Sequence, residues 1–148
     1  TSDTATDDKT LRYNFTTDGS NFNVTKTTTS FRSLNYESGS GGDGEAVEYR
    51  TGADLAQSSN PQIFTEPMGN ENDESGSGEL WIFNPSGTTF VKHFFTQFNH
   101  NSYSGKNENY YTAGYCNTTS AVTGIRFEME ASTNIQSGTF KLYGLKDS

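Results

Sequence analysis

Few residues in this chain have the type and spacing for catalysis. Its two histidines, His93 and His100, stand seven positions apart near the end of a strand-like stretch, with no acidic residue beside them in sequence. A nucleophile, base and orienting acid can assemble from distant parts of a chain. The Gly-x-Ser-x-Gly turn that presents a strained nucleophile is absent, however. Both histidines are therefore expected as polar residues on the surface or the rim of the core. Glu71, Asp73 and Glu74, with Asn70 and Asn72, put carboxylate and amide oxygens in one loop. Calcium takes about six to eight such oxygens, but the spacing of an EF-hand is missing, so Asp73 and Glu74 are only weak metal candidates. A solvated charged loop accounts for them, and for Asp43 and Glu45, more simply. Cys116 is the single cysteine, which excludes an internal disulfide and argues against a thiolate zinc site. Asn14, Asn23 and Asn117 open Asn-x-Ser/Thr triplets, which abundant Asn and Thr in strands and turns explain. No spacing marks a pair of carboxylates for glycoside hydrolysis. The expectation is a protein that is not an enzyme and needs no cofactor.

Aromatic side chains are the other candidates. Trp81, Tyr103, Tyr110, Tyr111 and Tyr115 can stack on sugars or on a neighbouring subunit. Trp81 lies in a run that is apolar at nearly every position, which points to the core. Tyr103 falls in a polar loop and is the better binding candidate. Tyr103, Tyr110 and Tyr111 are the residues expected to contact another subunit or a glycan.

The elements that must position these residues are strands. The chain has 148 residues, 30% of them hydrophobic and 14% aromatic, with eleven Phe, eight Tyr and one Trp. Large rings favour strands and bury much area each, while fifteen Gly and many Ser, Thr and Asn supply turns. A formal charge of −8 and a pI near 4.6 argue against a nucleic-acid partner. No apolar run is long enough for a membrane helix or a signal-peptide core. The first residue is Thr1, so a processed or partial chain is expected.

About eight strands are expected. Residues 11–16 and 21–25 read as a hairpin about the Asp18-Gly19-Ser20 turn. Further strands are read at 30–36, at 79–84 (buried on both faces), at 89–98, at 110–116 (interrupted by a bulge at Gly114), at 124–130 and at 139–145. Residues 46–57 are ambiguous between strand end and helical turn. Residues 99–107 read as a polar loop and 132–138 as a connection. Residues 39–44 and 69–78 are Gly-rich loops expected to lie exposed, outside the core. Strict alternation places Ile125, Phe127 and Met129 in the core with Phe140 and Leu142. The chain is thus expected to be a short N-terminal linker or arm, 1–9, and one all-β domain, 10–148, built as a jelly-roll-like antiparallel β-sandwich.

Four segments carry a resemblance. Residues 78–88 (GELWIFNPSGT), 119–127 (TSAVTGIRF), 134–145 (NIQSGTFKLYGL) and 11–22 (LRYNFTTDGSNF) resemble, in the same order, segments of a family of phage virion proteins. Its members are described as tail-fibre, head-fibre or capsid-decoration proteins. The likeness is thin between residues 31 and 72. Family members also carry more strand before the first hairpin, so an N-terminal segment is expected to be missing, disordered or supplied by another chain. The resemblance implies a structural subunit on the outside of a tailed-phage particle. It also implies contacts with its own copies, most simply as a trimer, and with the major capsid protein or a tail protein. The alternative is a module of a phage appendage or of a bacterial adhesin that binds a host receptor or surface glycan.

Overall fold

The computed structural model describes residues 2–4, 8–39 and 45–145. Among them are ten strands: β1 (Ser2–Thr4), β2 (Leu11–Thr16), β3 (Lys26–Tyr36), β4 (Ala46–Tyr49), β5 (Gln62–Ile63), β6 (Gly76–Ile82), β7 (Lys92–Ser102), β8 (Lys106–Cys116), β9 (Gly124–Met129) and β10 (Ile135–Gly138). No α-helix occurs among the described residues; single 3-10 turns span Thr51–Ala53 and Glu130–Ser132. The strands form two antiparallel sheets. One has seven strands in the order β10-β1-β6-β7-β8-β3-β4, the other three in the order β5-β2-β9. The all-β expectation therefore holds, and β1 gives the expected arm a place beside β10 and β6.

A long hairpin organises the large sheet. Strands β7 and β8 have eleven residues each and stay in register from Lys92–Cys116 to Ser102–Lys106. The turn between them is only residues 103–105, with Gly105 at φ +67°. Most of the polar loop expected at 99–107 is thus strand: Asn99, Asn101, Asn107 and Asn109 alternate on one face, where amide side chains satisfy one another across strands. No bulge occurs at Gly114. The register runs through it, and a Cβ there would stand 2.4 Å from the Thr27 carbonyl oxygen, so glycine permits close approach of β3.

The small sheet meets the inward face of the large one through rings. Tyr13 and Phe15 of β2 contact Phe94 of β7, with centroids 6.0 and 5.2 Å apart, and Phe64 contacts Phe98 at 4.8 Å. Leu11, Val24, Met68, Cys116 and Met129 complete the buried cluster, with Ile125 and Phe127 packed against it.

Several expectations need correction. Residues 21–25 are not a return strand. Asp18 does close a turn, accepting from the Ser20 and Asn21 amides at 2.8 Å each, but the chain then crosses to the large sheet, where β3 pairs with β8. The run at 79–84 is not buried on both faces: Leu80 and Ile82 pack on the core, while Trp81 and Phe83 are 39% and 51% exposed. Residues 139–145 form no strand. Phe140 stacks on Phe127 at 4.7 Å yet stays 52% exposed, and Leu142 is 95% exposed, so neither joins the core. The second Gly-rich loop ends earlier than expected: Gly76 and Gly78 belong to β6, tight against Phe98 and Gln97. In the first, Gly39 is exposed and residues 40–44 lie outside the described residues.

Candidate functional site

The structure separates the three tyrosines. Tyr103 is 49% exposed in the β7–β8 turn. Tyr111 points outward from β8 and stacks on Phe31, with centroids 4.8 Å apart and planes 13° apart. Tyr110 is fully buried, which corrects its reading as a contact residue. Strand alternation is the cause, since neighbours in a strand take opposite faces.

Around Tyr110 the fold gathers a concentrated set of ionisable groups, which sequence spacing alone does not reveal. Arg32 of β3 donates to Glu108 at 2.7 Å and, through two nitrogens, to Glu48 at 3.0 and 2.9 Å. Arg50 donates to Glu66 at 2.7 Å, and the Tyr110 hydroxyl donates to the same oxygen at 3.3 Å. Burial pushes the Glu108 carboxyl up, opposed by Arg32, whereas the hydrogen bonds from Arg32 hold Glu48 low. A pocket of about 160 Å³ opens beside them, lined in part by Arg32, Glu66, Glu108 and Tyr103. Glu66 and Glu108 are the pair nearest to an acid/base arrangement, but each carboxylate is tied to a guanidinium. The cluster joins β3, β4 and β8 to the loop around Glu66. The signal in the sequence was the inward alternation of Arg32 and Glu108, legible only once the two strands are known to pair.

His100 adjoins this cluster. It is buried, correcting its expected surface position, and its Nδ1 lies 2.6 Å from the Thr65 hydroxyl. Its Nε2 has no partner among the described residues. Burial, then the charge of Arg32, lowers its pKa to about 4. His93 is exposed on the opposite face, so the histidines share no site. A second buried polar row crosses the sheet as Lys26, Cys116 and Lys92. The Lys26 ammonium donates to Asn14 Oδ1 at 2.6 Å and to the Val24 carbonyl at 2.8 Å, and burial lowers its pKa to about 8. Burial pushes the Cys116 thiol up to about 12, which keeps it protonated and unreactive. Among the described residues no group of three or more His, Cys, Asp or Glu is placed to hold a metal. The Glu74 carboxylate instead accepts from the Glu71 amide at 2.9 Å.

Two surfaces are apolar and open. One is the outward face of the large sheet, bearing Phe31, Tyr49, Trp81, Phe83 and Phe95. The other is the segment after β10, where Leu142, Tyr143 and Leu145 are 95%, 77% and 81% exposed. Just before it, Phe140 stacks on Phe127 of β9, a strand with no further strand on its outer side among the described residues. A cavity of about 420 Å³ adjoins that edge, lined by Phe127, Met129 and Ile135 among others. No protein family, curated protein or solved structure matches this chain.

Proposed function

We propose that this chain is a structural subunit on the exterior of a tailed-phage particle, as a capsid decoration, head fibre or tail fibre, acting by assembly and adhesion rather than catalysis. The observation that carries the assembly reading is the segment after β10. It holds three large apolar side chains, Leu142, Tyr143 and Leu145, in water, just after Phe140, which stacks half-exposed on Phe127 of the edge strand β9. Contiguous exposed apolar groups mark contact surfaces, and an unpaired edge invites pairing with another chain. A second copy of this chain supplies both needs, with the segment of one subunit laid along β9 of the next. Repeated head to tail, such a contact closes into a ring where its rotation allows, and the trimer is the ring that the resemblance implies. The phage location rests on the four resembling segments. The two ring-packed sheets support the further reading of a β-sandwich of jelly-roll type.

Light scattering tests the assembly reading. The full chain is expected to have about the mass of a trimer. The Leu142→Asp, Leu145→Asp double variant is expected to be a monomer with the same circular dichroism, because neither side chain is in the core. A wild-type monomer at micromolar concentration overturns it. Density for this chain in an intact particle tests the location.

A further inference from the structure

We propose that the outward face of the seven-stranded sheet is a binding platform for a neutral polysaccharide. Strand register turns this face into a grid of side chains. One row runs Glu79, Gln97, Tyr111, Phe31, Tyr49 across β6, β7, β8, β3 and β4. The next runs Trp81, Phe95, Ala113, Thr29. Two aromatic pairs result: Phe31 on Tyr111, and Trp81 on Phe95 with planes 16° apart. Ala113 and Thr29 leave a low strip beside the Trp81 pair. In the opposite direction the face becomes a field of amides. Gln97 donates to the Tyr111 hydroxyl at 3.3 Å, Asn109 to the same hydroxyl at 2.7 Å, and Asn99 to Asn107 at 3.1 Å. These bonds, two across strands and one along β8, tether the amides before any ligand arrives, which limits the ordering cost of binding.

Charge selects the occupant. The chain carries a net charge of −8, yet across the outward positions of β3, β4, β6, β7 and β8 the only Asp, Glu, Lys or Arg is Glu79. At its rim Glu37 accepts from Asn101 and Asp54 from Tyr49, so the face carries no cation for a polyanion, and its carboxylates stand apart rather than in a cluster. A protein partner covering the whole face would have to bury the field of Asn and Gln toward the β7–β8 turn and match its hydrogen bonds, which is costly where it fails. A neutral sugar polymer meets both parts of the grid, C–H faces on the rings and hydroxyls on the amides. The inference is independent of the assembly reading, which concerns the segment after β10.

Trp81 is the only tryptophan, so its emission reports on this face directly. The experiment titrates the full-length protein with soluble neutral polysaccharides (mixed-linkage β-glucan, galactomannan, xyloglucan, dextran), with heparin and polygalacturonate as charged controls. It pairs Trp81 fluorescence with affinity gel electrophoresis. At least one neutral polymer is expected to shift the emission and retard the protein, and neither control should. Tyr111→Ala and Phe95→Ala are each expected to weaken binding by about tenfold, a loss in the range of a stacked ring. The Leu142→Asp, Leu145→Asp variant is expected to bind each polymer strand with unchanged per-subunit affinity. The proposal is overturned if no neutral polymer binds, or if heparin binds as well as they do. It is overturned equally if binding survives Tyr111→Ala and Phe95→Ala combined, or if Phe95→Ala dissociates an oligomer, which would assign the face to a second copy.

Discussion

At the scale of single residues, position in the strand outweighs side-chain type. His100 and His93 differ by an odd number of steps along β7, so one is buried against Thr65 and the other lies in water. The buried ring makes a prediction with a definite sign. Its pKa is about 4 in the fold and roughly 6.5 in an unfolded chain. Between those values the unfolded chain binds the proton and the folded one does not, so stability is full above about pH 6.5 and falls as pH drops toward 4. The loss attributable to His100 reaches roughly 3 kcal/mol at the acid end. Urea unfolding of wild type and His100→Gln at several pH values checks this: the stability difference between the two should shift in favour of the variant on acidification. A difference that stays constant from pH 7 to 4 refutes it. The same parity explains why Tyr111 is available and Tyr110 is not. Sequence adjacency made them look like one patch, and only the facing of β8 divides them.

At the scale of elements, the β7–β8 hairpin and its neighbour β3 govern where everything else can go. Gly114 is the tightest point between them. A Cβ would meet the Thr27 carbonyl at 2.4 Å and the Thr28 Cγ2 at 2.7 Å. The first of these is backbone and cannot turn away, so Gly114→Ala must push β3 and β8 apart. The expected cost is about 1–3 kcal/mol, as for other overpacked sites, read as a lower urea midpoint with an unchanged slope. Gly52, where a Cβ meets nothing within 4 Å, is the control, and its alanine variant should unfold near wild type. The loosely alternating β2 and the cleanly alternating β9 were legible in the sequence, including the inward side of Met129. The segment 139–145 alternates just as well but finds no partner strand in the isolated chain. Alternation says which face a strand would bury, not whether a neighbour exists to bury it.

At the scale of the whole molecule, the two sheets are held by rings rather than by aliphatic side chains, because the chain has few of the latter. Phe94 touches both Tyr13 and Phe15 across the gap and is 2% exposed, while Phe95, its sequence neighbour, faces outward beside Trp81. Phe94→Ala should cost about 3–5 kcal/mol. Phe95→Ala should cost about 1 kcal/mol or less, the value of one aromatic pair on an open face. Equal losses in thermal unfolding for the two would contradict the inward and outward assignment. What the sequence by itself determined was the class: aromatic and β-branched strands, turns such as Asp18-Gly19-Ser20, and a net charge of −8. These are local properties, carried by propensity and composition. Tertiary structure alone decided that the Asp18 turn passes the chain to the other sheet and that Trp81 faces water. It alone brought Arg32, Glu48, Glu66 and Glu108 together and set the outward rings in register with an amide field. Those outcomes depend on which strand pairs with which and in what register, and they join residues up to dozens of positions apart. Strand pairing is a property of the closed fold, so no window of neighbouring residues encodes it.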